Sequence, residues 1–97
     1  MPLTRDEILR RLAENRETLR RMGVRKLGLF GSAARGEEPR DLDMLVDLQP
    51  KTFDAYMEVK FYLERLFGRP VDLVLADALK PALRAGILEE TVYAPGL

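Results

Sequence analysis

The order of apolar and polar patterns predicts a mixed α/β (α+β) fold, in which helices cover one face of a small three-stranded β-sheet. Three observations support this prediction: helical and strand patterns alternate along the chain, the chain has only 97 residues, and 46% of them are hydrophobic. This length favours a single domain over residues 1–97, and this composition is too apolar for a disordered segment. The second face of the sheet is expected to be open to solvent.

The first predicted element is a helix. Thr4-Arg5-Asp6-Glu7 has the form of a capping box, in which a Thr hydroxyl and a Glu carboxylate satisfy free backbone amides at a helix start. Gly23 is well placed to end this helix. A single apolar stripe at helical spacing lies between them, formed by Ile8, Leu12, Leu19 and Met22. We therefore expect one continuous helix with one buried side.

Two strands and a turn are predicted next. Val24 to Phe30 runs from basic into apolar residues and stops at Gly31-Ser32, which favours a turn. Ser32 to Arg35 is short and compatible with a helical turn, and Gly36 to Arg40 carries the Gly and Pro of a loop. From Asp41 to Leu48, apolar residues alternate with mainly acidic ones. This alternation indicates a strand with one buried face.

A long helix, a third strand and a helical tail complete the predicted fold. Thr52 can cap a helix that reaches about Phe67 and ends at Gly68. Val71 to Ala76 is predicted to be the third strand, and Asp77 is expected to cap a last helical piece. The inner side of the long helix is expected to hold Phe53, Tyr56, Met57, Leu63 and Phe67.

The composition excludes several classes of function. The chain has no His and no Cys, so a zinc site of the usual N/S type, a thiol nucleophile and a Ser-His nucleophile are excluded. Its zero net charge argues against direct nucleic-acid binding, which normally needs a basic excess. The longest uncharged stretch, Leu27 to Ala34, is far shorter than the ~20 residues of a membrane-spanning helix. The N-terminus lacks a signal-peptide pattern, so a cytoplasmic location is expected.

Three acidic residues on predicted strands carry the main chemical signal. Asp41 and Asp43 lie two positions apart, so they share a face of their strand, and their charges repel unless a cation lies between them. Asp72 is the one charge in an apolar strand, and it would complete a triad if that strand neighbours the first pair. Carboxylates are ligands for hard cations such as Mg²⁺. Asp47 lies further along the same face and is expected to be solvated.

Gly31 and Ser32 fit the binding of a phosphate. A glycine at a strand end lets the backbone approach a phosphate without a Cβ, and the serine adds a hydroxyl donor. Two Mg²⁺ ions held ~3.5–4 Å apart by shared carboxylates can bind a triphosphate, activate an acceptor hydroxyl and stabilise the leaving pyrophosphate. Arg35 and Arg40 are either phosphate clamps or ordinary surface arginines.

Together, Gly31-Ser32, Arg35-Gly36, Asp41-x-Asp43 and Asp72 resemble the signature of the polymerase-beta-type nucleotidyltransferase superfamily, most closely its minimal, MNT-type branch. The resemblance extends from the first helix through the third strand and implies the polymerase-beta-like nucleotidyltransferase fold. It also implies catalytic and Mg²⁺-binding roles for Asp41, Asp43 and Asp72. Triphosphate contacts are implied at Gly31 and Ser32, and Arg35 occupies a motif position.

The resemblance further implies a reaction and a partner. Members of the minimal branch are commonly paired with a HEPN-domain protein as a toxin–antitoxin module, and some transfer AMP from ATP to a tyrosine of that toxin. We therefore expect Mg²⁺-dependent transfer of AMP from ATP to a hydroxyl group of a HEPN-type partner, with this chain as the antitoxin. Phe61 and Tyr62 lie off the inner stripe of the long helix, which indicates either a surface for a partner or a second copy of the chain, or a broad core face.

Two departures from the family pattern keep a second hypothesis open. The connection from Gly36 to Asp41 is short, and Arg40 stands where the family has a small Ser. Arg40 can pair with Asp41, contact a phosphate or point to water, and the first of these would weaken metal binding. The alternative function is therefore a catalytically weak nucleotide-binding module that neutralises a partner protein by forming a complex.

Overall fold

The structure is a computed structural model that describes residues 3–37 and 40–97, so Glu38 and Pro39 of the predicted loop lie outside the described residues. The elements, in chain order, are α1 (Arg5–Glu14), α2 (Arg16–Arg21), β1 (Val24–Phe30), β2 (Leu42–Leu48), α3 (Phe53–Phe67), β3 (Val71–Leu75), a 3₁₀ turn (Ala76–Ala78), α4 (Pro81–Glu90) and β4 (Val92–Tyr93). In the described part of the chain, no helix has the length and apolar character needed to cross a bilayer.

The sheet is mixed, and its strand order is β3-β2-β1-β4. β1 is antiparallel to both β2 and β4, whereas β2 and β3 are parallel. The predicted mixed α/β fold is therefore confirmed, but the predicted count of three strands is one too low. The missed strand, β4, has two residues and pairs with Gly28 and Leu29. Two residues cannot show the alternation by which strands are recognised in a sequence.

The N-terminal helical region is divided into two helices. Thr4 caps α1 as predicted, and its hydroxyl accepts a hydrogen bond from the Glu7 amide (3.2 Å). The continuous helix predicted up to Gly23 is interrupted at Asn15, whose side-chain amide donates to the Arg11 carbonyl (2.8 Å) and whose backbone leaves the helical conformation. This competition between an Asn side chain and the backbone is typical of helix ends.

Helix α3 begins and ends where the sequence predicts. The Thr52 hydroxyl accepts from the Ala55 amide (3.1 Å), and Gly68 ends the helix in the left-handed conformation, with φ +66°. Leu63 and Phe67 are buried as expected, but Phe53 is 75% exposed. Its predicted place on the inner side is wrong because side chains at the first position of a helix lean toward the N-terminus, beyond the surface that the helix covers.

The two faces of the sheet differ in what covers them. One face of β2, formed by Leu42, Met44, Val46 and Leu48, belongs to the hydrophobic core that also contains buried residues of α1, α2 and α3. The other face carries Asp43, Leu45 and Asp47. Helix α4 reaches this second face, since Leu88 and Leu45 line the same cavity. The face predicted to be open is therefore partly covered.

The chain between β3 and α4 corrects one predicted cap. Asp77 lies in the 3₁₀ turn and forms an ion pair with Lys51, and α4 begins later, at Pro81. Proline is favoured at the first helical position because it needs no hydrogen bond for an amide there. Asp77 therefore ties the turn to the start of α3 and does not cap α4.

Candidate active site

Asp43 and Asp72 lie side by side on the second face of the sheet. They are directly paired in the parallel register of β2 and β3. Neighbouring strands are about 4.8 Å apart, and paired residues point to the same face, so the two carboxylates are close neighbours. Asp43 is half-buried and Asp72 is exposed. The structure therefore brings together two of the three acidic residues that the sequence singled out.

Asp41 lies at the rim of this pair. It precedes β2 and is exposed, although its charge is close enough to affect Asp43. Within residues 3–37 and 40–97, no three acidic side chains are grouped closely enough to hold one metal ion. Arg40 is exposed and forms no ion pair with Asp41 or any other described residue. Arg40 therefore does not pair with Asp41, and the two other expectations for it, contact with a phosphate or exposure to water, stay open.

Gly31 lies directly against the Asp43 carboxylate. Phe30, the residue before it, is paired with Asp43 across β1 and β2. Gly31 has φ +73°, and a Cβ at this position would collide with Asp43 Oδ2. A glycine is therefore required here both by its backbone conformation and by the approach of a carboxylate. This contact joins the predicted phosphate loop to the predicted metal ligands.

The turn after β1, residues 31–36, is called the Gly31 turn below. It carries hydrogen-bond donors that have no acceptor among the described residues. It is closed by hydrogen bonds from the Arg35 amide to the Gly31 carbonyl (3.2 Å) and from the Glu37 amide to the Ser32 carbonyl (2.9 Å). The short helical piece expected over Ser32 to Arg35 is observed as a hydrogen-bonded turn and not as a regular helix. The hydroxyl and the amide of Ser32 make no hydrogen bond to any residue in the described ranges. The amides of Ala33 and Ala34 make none either, but these two residues are buried. Ser32 is therefore the residue of this turn whose free donors suit an anion.

Glu90, at the end of α4, is a site residue that the sequence reasoning missed. Its carboxylate accepts a hydrogen bond from the Gly31 amide through Oε1 (2.9 Å) and contacts the Arg35 guanidinium through Oε2 (3.4 Å). Arg35 also pairs with Glu37 (3.2 Å). Because 59 positions separate Glu90 from Gly31, no local spacing in the sequence indicated this contact.

The electrostatics of the site converge on Asp43. Burial is the main factor that raises the pKa of the Asp43 carboxyl above its ordinary value. The negative charges of Asp72, Asp41 and Glu90 raise this pKa further, in that order of effect. The Arg35 guanidinium acts in the opposite direction. The charged form of Asp43 is therefore disfavoured in the protein alone, and a nearby cation would favour it.

The residues present fit a divalent cation such as Mg²⁺. Hard cations prefer carboxylate oxygens, and here Asp43 and Asp72 are neighbours with Asp41 at their edge. The mutual repulsion of these groups is the kind of cost that a bound cation removes.

A cavity of about 230 Å³ lies further along the same face of the sheet. Its lining includes Leu45 of β2, Arg84 and Leu88 of α4, and Lys26 and Tyr93. Lys26 Nζ lies 5.7 Å from the centre of the Tyr93 ring. Since Leu45 is two residues from Asp43, the cavity adjoins the carboxylate pair.

Sequence comparisons agree with this geometry. The family model described as "Nucleotidyltransferase domain" matches residues 7–94. The protein adenylyltransferase MntA of Thermococcus cleftensis is 42% identical over 95 residues, which cover 94% of this chain and 96% of that protein.

Comparisons with solved structures give the same fold. A structure described as a minimal nucleotidyltransferase superposes with a TM-score of 0.71 and 36% identity, covering 87% of this chain and 93% of the other. A complex of tri-AMPylated Shewanella oneidensis HEPN toxin with MNT antitoxin gives a TM-score of 0.65 over 92% of this chain and 73% of the matched chain. At 19% identity, that second match supports the fold alone.

Proposed function

Because this chain belongs to the nucleotidyltransferase domain family, we propose that it transfers AMP from ATP, with Mg²⁺, to a hydroxyl group of a HEPN-type partner protein. In this proposal the chain is the antitoxin of a toxin–antitoxin pair and acts in the cytoplasm, where ATP is available. The observation that carries the proposal is the placement of Asp43 and Asp72 side by side, next to the Gly31 turn.

The Gly31 turn binds the triphosphate in the proposed reaction. Gly31 has no Cβ to block a phosphate, and the amide and hydroxyl of the half-buried Ser32 have no partner among the described residues. Arg35 stands at the edge of the same turn and can form charge-assisted hydrogen bonds to phosphate oxygens. These groups hold the β- and γ-phosphates, so that the α-phosphate lies over the carboxylate pair.

The carboxylates act on the acceptor end. Asp72 is the more exposed member of the pair and accepts the proton of the acceptor hydroxyl. The acceptor oxygen then bonds to the α-phosphorus, the bond from that phosphorus to the bridging oxygen breaks, and pyrophosphate leaves on the side of Arg35. Mg²⁺ held by Asp41 and Asp43 would neutralise phosphate charge and polarise the α-phosphate. The cavity near Leu45 offers space on this face for the nucleoside or the acceptor side chain.

The partner assignment rests on the relatives. MntA of Thermococcus cleftensis is named a protein adenylyltransferase and is matched over nearly its full length. The Shewanella oneidensis complex pairs an MNT antitoxin with an AMPylated HEPN toxin. A homo-oligomer is a further possibility for burying Phe61, which is 51% exposed.

The proposal is tested by incubating the chain with α-labelled ATP, Mg²⁺ and the HEPN-domain protein encoded beside it. The wild type should label the partner, and Asp43→Asn should reduce labelling at least ~100-fold, as loss of a main electrostatic group does in other enzymes. Asp54→Asn is the control, because Asp54 is exposed in the first turn of α3, away from the cavity and the carboxylate pair, and the substitution gives the same change in net charge. Equal labelling by wild type and Asp43→Asn would refute the proposed role.

One observation favours the alternative function, a binding module that neutralises a partner by forming a complex. The described residues contain no preformed group of three acids, and Asp41 is exposed at the rim. If toxin neutralisation survives in an Asp43→Asn, Asp72→Asn double variant with undiminished partner affinity, the binding module is the correct description.

A further inference from the structure

Glu90 occupies two donors of the turn, the Gly31 amide and the Arg35 guanidinium, and the proposed function gives the second of these to the triphosphate. Its two carboxylate oxygens face the Gly31 amide (2.9 Å) and the Arg35 guanidinium (3.4 Å). A phosphate also carries negative oxygens a short distance apart, and both kinds of anion prefer backbone amides and guanidinium groups. A nucleotide and the Glu90 carboxylate therefore cannot use the same two donors at once.

The charge of Glu90 also opposes an anion at this turn. The Glu90 carboxylate is one of the negative charges that raise the pKa of Asp43, so its charge acts on the carboxylate that lies against Gly31. A triphosphate bound at the turn would meet this charge at short range in a partly desolvated place, since the Glu90 side chain is 35% exposed. Coulomb repulsion is stronger there than in bulk water.

The position of Glu90 allows it to leave without unfolding the site. None of the residues of α4 is buried, so the helix contributes little to the core. The chain just after Glu90 is held by β4, whose Val92 and Tyr93 pair with β1. Rotation of one side chain at a fixed backbone position is thus enough to free the Gly31 amide and Arg35.

We infer, on the basis of the proposed function, that Glu90 is an internal competitor for the triphosphate site. In the protein without nucleotide, Glu90 satisfies the Gly31 amide and the Arg35 guanidinium. A triphosphate replaces it on both donors, so every binding event includes displacement of the Glu90 carboxylate. Glu90 therefore lowers the affinity for nucleotide and keeps the turn in its binding shape while the site is empty.

The test measures binding of inorganic tripolyphosphate and of ATP by calorimetry, without Mg²⁺ and with it, for the wild type and three variants. Glu90→Gln removes the charge and keeps the shape, and Glu90→Ala removes both. Glu89→Gln is the matched control, because Glu89 is the preceding residue of the same helix, is exposed, and gives the same change in net charge. Circular dichroism spectra and thermal unfolding establish that each variant folds.

Both Glu90 variants are expected to bind tripolyphosphate at least about fivefold more tightly than the wild type, as for ordinary coupling between competing ligands, whereas Glu89→Gln should stay within about twofold. In nuclear magnetic resonance spectra, Glu90→Ala and tripolyphosphate should each shift the Gly31 amide resonance. Unchanged or weaker tripolyphosphate binding by both Glu90 variants would overturn the inference, including the case in which no variant binds.

The two proposals fail in different ways. Tripolyphosphate binding needs no transfer reaction, so tighter binding by the Glu90 variants supports the inference even if no AMP reaches a partner. Conversely, AMP transfer by the wild type with identical tripolyphosphate affinity in all variants overturns the inference and leaves the proposed function standing. Weaker ATP binding by Glu90→Gln only when Mg²⁺ is present would identify Glu90 as a further cation ligand and would also overturn it.

Discussion

Gly31→Ala is expected to destabilise the protein more than Gly68→Ala, although both glycines have similar positive φ angles of +73° and +66°. The left-handed conformation costs an alanine about 1–2 kcal/mol at either position. At position 68 an added Cβ meets no atom within 4 Å. At position 31 it collides with Asp43 Oδ2 and lies 3.2 Å from Asp43 Cγ. The two substitutions therefore differ mainly in this collision.

The collision sets the size of the difference. Asp43 is half-buried in a strand, so its side chain must leave its preferred rotamer to avoid the added Cβ. This rotamer change costs about 0.5–1.5 kcal/mol. The total for Gly31→Ala is then about 1.5–3.5 kcal/mol, against about 1–2 kcal/mol for Gly68→Ala. In a chain of this size each kcal/mol lowers the Tm by roughly 4–8 °C. Urea unfolding is followed by far-ultraviolet circular dichroism, because the chain has no Trp.

A double-mutant cycle isolates the contact between Gly31 and Asp43. In an Asp43→Ala background the carboxylate is absent, so the cost of Gly31→Ala should fall toward that of Gly68→Ala; a smaller difference remains because the Cβ of residue 43 still lies 3.3 Å from the added Cβ. Gly68→Ala should cost the same in both backgrounds. Equal costs of Gly31→Ala and Gly68→Ala in the native background would contradict this contact, as would a cost of Gly31→Ala that Asp43→Ala leaves unchanged.

Two further substitutions test how the elements around the site are held. Gly28→Ala should destabilise the protein by about 1–3 kcal/mol, because the new Cβ would collide with Thr91 Cγ2 at the end of α4. Hydrogen exchange of the β4 amides should therefore accelerate. Unchanged exchange would contradict the placement of β4 beside Gly28. Tyr56→Phe should cost about 0.5–1.5 kcal/mol in thermal unfolding, because it removes the hydrogen bond to the Leu73 carbonyl (2.6 Å) that ties α3 to β3. Tyr93→Phe is the control, since Tyr93 is 43% exposed and its hydroxyl has no hydrogen bond among the described residues. An equal loss of stability in both variants would show that the hydrogen bond to Leu73 is not the cause.

The sequence predicted local structure well where its signals were strong. The range Val24 to Phe30 is observed as β1, and the predicted second and third strands each differ from β2 and β3 by one terminal residue. A run of five to seven mainly apolar or alternating residues, bounded by Gly or Pro, indicates a strand by itself. The caps at Thr4 and Thr52 were equally visible because a cap depends on residues only three positions apart.

The errors have a common physical origin. The Asn15 side chain competes with the backbone inside an otherwise helical pattern, and whether it interrupts the helix depends on the packing around it. Phe53 has the hydrophobicity of a core residue, but its side chain is exposed because it stands at the first position of α3. Strand β4 has no signal of its own and exists because β1 has a free edge for it to pair with.

The candidate site shows the same division. The sequence alone predicted a phosphate site at the Gly31 turn and a shared strand face for Asp41 and Asp43. Both predictions depend on neighbouring residues: a glycine at a strand end, and two acids two positions apart. The tertiary structure alone decided that Asp72 pairs with Asp43, that Asp41 stays at the rim, and that Glu90 reaches the Gly31 amide. Strand order and the return of α4 join residues far apart in the chain, and only the packing of the complete core selects those contacts.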